Sequence, residues 1–154
     1  MDNAIEPVTR TDVAVSLRQW ARGVYPQEAA VELLLRAFQG RFARPGNPWI
    51  RPTDDGGYWL DAESLASGDR YFSGGEQRLL QVVAALAGEA QVSLSAVIPG
   101  MDRGLVELVL AAIAHAAGSH EHANMVVDHD AGVAHFLGHH PSLHPWPALE
   151  RPGA

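Results

Sequence analysis

The chain has no cysteine and no lysine, and no histidine occurs before His115. The missing cysteine excludes disulfides, thiolate nucleophiles, iron–sulfur clusters and cysteine-ligated zinc. All eleven basic residues are arginine. The missing lysine therefore excludes Schiff-base chemistry and a pyridoxal phosphate anchor. Long hydrophobic runs are also lacking. The most apolar stretch, Leu105 to Ala117, is interrupted by Glu107 and His115 and falls short of the ~20 residues of a membrane helix. The start, Met1 to Glu6, is acidic where a secretory signal would be basic and then apolar. These absences lead us to expect a soluble, cytoplasmic chain without a membrane partner.

What is present fits one modest domain. The 154 residues are 47% apolar and 19% charged, a composition that can fill a core. We expect a single globular domain over residues 1–140 and a Pro/His-containing flexible tail over 141–154. The net charge of -7 is unevenly placed: residues 1–51 sum to +2 and the remainder to -9. This balance disfavours nucleic acid, whose binding needs many cationic contacts. No acid stands between Glu32 and Asp54, a stretch that holds Arg36, Arg41, Arg44 and Arg51.

The pattern predicts a mainly helical α+β fold: about five helices around two central apolar helices, with one or two small β-hairpins. Thr11 is a candidate cap for a helix ending near Gly23, and Pro26 opens a second that ends near Gly40. Trp49-Ile50-Arg51 and Tyr58-Trp59-Leu60 read as a hairpin around Asp54-Asp55-Gly56-Gly57, and Asp61 as the cap of a short helix. The helices from Ser73 to Ala87 and from Asp102 to Ala117 carry apolar residues on more than one face and are expected to pack on each other. A second hairpin is expected over residues 124–137, turning at Asp130-Ala131-Gly132.

Phe72-Ser73-Gly74-Gly75-Glu76-Gln77 resembles the signature peptide of ABC ATPases. The resemblance implies a helix N-terminus offered to a nucleotide phosphate across a dimer. It ends with this peptide. The family's Walker A lysine is absent, and Leu94 to Ile98 runs into Pro99-Gly100 without the Walker B acid. Ser73 and Glu76, three apart, read instead as a capping box.

All eight histidines lie between His115 and His144. His120-Glu121-His122 would aim both imidazoles to one side if it were a strand. His129 and His135 belong to the expected second hairpin. Three neutral imidazoles with Asp128 or Asp130 form a nitrogen–oxygen set suited to zinc or another divalent metal. The zincin pattern fails at Asn124, and the cupin pattern lacks the strands that should come after its histidine pair. His129-Asp130 resembles the metal-binding pair of HD phosphohydrolases, which sits on a helix where this pair sits in a turn. His115, on an apolar helix, is expected to be a buried, hydrogen-bonded residue and not a metal ligand. Asp54 and Asp55 read as turn residues, and no serine sits in a nucleophile elbow.

The residues support two functional expectations. The leading one is a non-catalytic interaction or regulatory protein whose surface comprises Arg36, Arg41, Arg44, Trp49, Arg51, Tyr58 and Trp59, since arginine and aromatics are enriched at protein interfaces. Its partner would be another protein, with a homo-oligomer left open. The alternative is a histidine-ligated divalent-metal protein, extending to a metal-dependent hydrolase, using His120, His122, His129 and His135.

Overall fold

Ala29, Ala30, Val31, Leu33 and Leu34 are all fully enclosed, so one short segment is buried on almost every side. That segment is the middle of α2 (Tyr25–Arg36), and the other helices are arranged around it. The computed structural model describes residues 10–68 and 72–149. Within them the chain forms α1 (Arg10–Ala21), α2, β1 (Ile50–Pro52), β2 (Tyr58–Leu60), α3 (Ala62–Ala66), α4 (Gly74–Ala87), α5 (Leu94–Val97), α6 (Arg103–Ala116), β3 (Ala123–Asp128) and β4 (Val133–His139). Each strand pair is a two-stranded antiparallel sheet, so the fold is α+β with two hairpins, as the pattern predicts. No helix of the described residues is long and apolar enough to cross a membrane.

The local signals act as their chemistry requires. The Ser73 hydroxyl accepts from Glu76 N while the Glu76 carboxylate accepts from Ser73 N, completing a capping box at α4. Asp61 caps α3 and Asp102 caps α6, each accepting a backbone N–H three residues on. The first hairpin pairs Ile50 with Leu60 and Arg51 with Trp59, and the Tyr58 N–H donates to Ser16 Oγ at 2.6 Å, tying it to α1.

Three expectations are corrected. Helix α1 already includes Arg10 and Thr11, so Thr11 is a helical residue and not the cap. Helices α4 and α6 do not form the core by packing on each other; they meet narrowly, and each lies against α2. The small Ala29 and Ala30 give α2 little bulk, which lets neighbours approach on two sides. Helix α2 also stops at Arg36, short of Gly40. Phe38, Gln39 and Gly40 turn left-handed in succession, with φ of 48°, 58° and 71°. Left-handed backbone costs a non-glycine residue roughly 1–2 kcal/mol. Here the turn brings Phe42 and Trp49 into the core at 2% exposure each, beside Phe72. Fully burying a large apolar side chain contributes about 1.5–3 kcal/mol, enough to offset that strain.

The segment read from the sequence as a flexible tail, residues 141–154, contacts the body as far as Pro147, while Ala148 and Leu149 are exposed. Leu143 N donates to Ser119 Oγ, Arg36 Nη1 donates to the Pro147 carbonyl, and Trp146 packs on the core. Residues 150–154 lie outside the described residues.

Candidate metal centre

Helix α6 ends beside the start of α2, and a glycine sets the path of the chain beyond it. Gly118 has φ 70°, and a Cβ there would stand 3.0 Å from the Tyr25 ring, so a side chain would be both strained and crowded. Ser119–Glu121 then make one 3-10 turn. The Ser119 hydroxyl, buried, donates to the Ala114 carbonyl at 2.7 Å and holds the turn to the helix end.

This turn stacks the His120 ring on the His115 ring, with centroids 4.2 Å apart and planes 15° from parallel. Tyr25 stands edge-on to both rings, at 6.1 and 5.0 Å. Glu28, in the first turn of α2, completes the group. Its carboxylate meets His115 Nε2 at 2.8 Å and accepts the Gly23 N–H at 2.9 Å. A carboxylate can only accept, so the shared proton belongs to His115 Nε2. His115 is thus hydrogen-bonded, as expected for a histidine on an apolar helix, but it is half-buried and stands among candidate metal ligands, which the sequence reading did not anticipate.

Glu28, His115 and His120 each offer one ligand atom, and these atoms lie within 4.8 Å of one another. All three residues are half-buried. Burial pushes the Glu28 carboxyl up. The hydrogen bonds from His115 and Gly23, with the charges of His115 and His120, outweigh it and hold the group below the ordinary carboxylate range. His120 Nδ1 is buried without a hydrogen-bond partner. Trp146 covers one side with its ring 6.2 Å from His115, and Arg36 lies over Trp146 at 5.1 Å.

Of the four histidines proposed from the sequence, only His120 joins this cluster. His120 and Glu121 belong to the 3-10 turn, and β3 begins only at Ala123, so His120 and His122 do not alternate along a strand. His122, His129 and His135 are exposed and lie outside the group. His135 pairs with Val126 along the second hairpin. His129 sits in the hairpin turn, where Asp128 accepts the Asp130 and Ala131 N–H groups.

The residues proposed as an interaction surface are distributed differently from one another. Trp49 is a core residue whose indole N–H donates to the Phe42 carbonyl, which corrects its assignment to the surface. Arg36 pairs with Glu32, Arg41 with Glu76 and Arg51 with Asp61. Arg44 is exposed, while Tyr58 and Trp59 are half-buried in β2.

Sequence reasoning missed Glu28 because it lies 87 residues from His115. No local spacing joins them; only the packing of α2 along α6 does. The chain gives no match to any family model, to any curated protein or to any solved structure.

Proposed function

We propose that this protein binds one divalent metal ion through Glu28, His115 and His120. The observation that carries the reading is the proximity of three candidate ligand atoms, from α2, α6 and the turn after α6, within 4.8 Å of one another. Two imidazoles and a carboxylate suit zinc and also iron, nickel or manganese, and leave a position for water. The unpartnered His120 Nδ1 supports it, since a buried polar atom without a partner is costly. Metal–ligand bonds of about 2.0–2.1 Å hold neighbouring ligand atoms roughly 3.3 Å apart. Binding would need the two stacked rings to turn so that their in-plane lone pairs meet at one point, and would release to solvent the proton that His115 Nε2 shares with Glu28.

Binding, and not hydrolysis, is the extent of this reading. The cavity between Trp49, Leu65, Phe72 and Leu80 contains none of the three ligands. The arginine-rich face is a weaker basis for function, with Trp49 buried and three of its arginines engaged by carboxylates of the same chain.

Titration of tag-free, chelator-treated protein with zinc or cobalt tests the proposal. One ion per chain is expected, together with a higher melting temperature, because a ligand of the native state stabilises it by mass action. His120→Ala and Glu28→Gln should each abolish uptake, while His122→Ala, His129→Ala and His135→Ala leave it intact. Weak uptake at several sites that survives His120→Ala would overturn the assignment.

A further inference from the structure

The β3–β4 hairpin is an arm, its strand residues exposed apart from Asn124 and Gly138. The chain returns from it past the candidate metal centre. His140 N donates to the His122 carbonyl at 2.8 Å, which closes the base of the arm. Residues 141–149 are neither helix nor strand. Among the described residues, no backbone-to-backbone hydrogen bond holds them.

Side chains of the body hold this segment instead, at two points. Ser119 Oγ accepts the Leu143 N–H at 3.1 Å and lies 3.4 Å from Ser142 Oγ. Arg36 Nη1 donates to the Pro147 carbonyl at 3.0 Å, and the same guanidinium lies over the Trp146 ring, 5.1 Å from its centre. Glu32 accepts from Arg36 Nε at 2.9 Å and so steadies the arginine on α2. Between the two attachments Pro145 is exposed.

Both attachments flank the metal ligands. Ser119 directly precedes His120, and the Trp146 ring stands 6.2 Å from the His115 ring, tilted by 49°. His120 Nδ1 is enclosed, so an ion reaches it only after something over the site has moved. The stacked rings must also turn to bind, and Trp146 stands beside one of them. Tyr25 stands against both rings as well, but it belongs to α2, whose middle is the most enclosed part of the body. Local opening costs least where backbone hydrogen bonds and buried apolar contacts are fewest. The segment after the arm therefore moves before α2 does.

We infer that residues 142–147 form a strap that gates the metal site, with Arg36 as its clasp. The inference rests on the proposed site at Glu28, His115 and His120. Metal enters and leaves when the strap lifts from α2, without unfolding of the body. The strap is closed in the metal-free chain, so it slows entry as well as exit. Indole and guanidinium offer a metal ion no lone pair, so Trp146 and Arg36 act on access and not as ligands. His144, the strap's own imidazole, lies outside the three-ligand group.

Stopped-flow uptake of cobalt ion by the full chain, and its release to excess chelator, test the inference. Trp146→Ala should speed both by roughly tenfold, because the cation–π contact and ring packing that close the strap are lost. The Kd should change less than either rate. Arg36→Gln should act in the same direction by a smaller factor, and it carries the test if Trp146→Ala loses its helical circular dichroism. Carbethoxylation of metal-free protein by diethyl pyrocarbonate, mapped by peptide mass, reads the same opening without metal. Modification of His115 and His120 should rise in the variants, while that of His129 in the arm's turn stays constant. Faster release without faster uptake would mean that the strap only stabilises the loaded site, and would overturn the gate. Unchanged rates in both folded variants would do the same. A wild type that takes up no cobalt would bring down the metal site and the gate with it. Intact uptake, with His115 and His120 labelled alike in wild type and variants, would bring down the gate alone.

Discussion

In α2, Val31, Leu33 and Leu34 have no exposed surface; in β3, Met125, Val126 and Val127 each keep about half of theirs. Both segments are short apolar runs, yet one is the centre of the molecule and the other stands outside it. A helix places neighbouring apolar residues on several sides, and α2 has helical neighbours on several sides to receive them. A hairpin satisfies its inner backbone groups by itself and so can form without a core beneath it. Backbone pairing and apolar burial are thus separable: the body has both, and the arm has the first without the second.

The sharpest way to break this comparison is to truncate one side chain in each region. Leu34→Ala should cost about 2–5 kcal/mol, as expected for a fully enclosed leucine. Val127→Ala should cost under about 0.5 kcal/mol, as expected of a surface position. Urea unfolding tracked by the helical signal, at concentrations too low for association, measures both. Equal losses would mean that the arm is part of the body's core.

A second prediction concerns charge in the body. Glu32 joins α1 to the end of α2, meeting Arg18 Nε at 2.6 Å and Arg36 Nε at 2.9 Å. Burial pushes its carboxyl up, but the two guanidinium partners outweigh it and the group titrates below its ordinary range. A depressed carboxyl contributes stability above its unfolded pKa and loses it as pH falls through the folded value. Wild-type stability should therefore decline below about pH 4.5, and Glu32→Gln should flatten that decline. The variant should cost about 1–2 kcal/mol at neutral pH, because charged hydrogen bonds to exposed Arg18 and half-buried Arg36 are lost. Chemical denaturation across pH reads both effects. An acid profile identical in the two proteins would mean that Glu32 does not set the acid limb.

The smallest expected effect is at the cap of α4. Ser73→Ala should lower stability by roughly 1 kcal/mol through loss of the capping box. The protein should show no saturable ATP binding by calorimetry. Nucleotide binding that vanished in the variant would restore the signature-peptide reading of Phe72 to Gln77.

Three of the four caps, the turns and the hairpins were legible in the sequence because each is settled within a few residues; Thr11 alone was read as a cap and is helical. Ser73 with Glu76, Asp61, Asp102 and the Asp54–Gly57 turn all act where their side-chain chemistry places them. The end of α2 was not legible. Nothing local separates Ala37 to Gly40 from a continuing helix, and the left-handed turn there accompanies the burial of Phe42 and Trp49. The histidine cluster was legible as composition but not as geometry. The sequence by itself therefore determined the elements, the class of fold and the excluded chemistries, all of which derive from side-chain type and short-range backbone preference. Tertiary structure alone decided that α2 is the centre, that Glu28 meets His115 and His120, and that the second hairpin stands free. Those outcomes depend on which surfaces bury one another across long separations in sequence, and no local pattern records that competition.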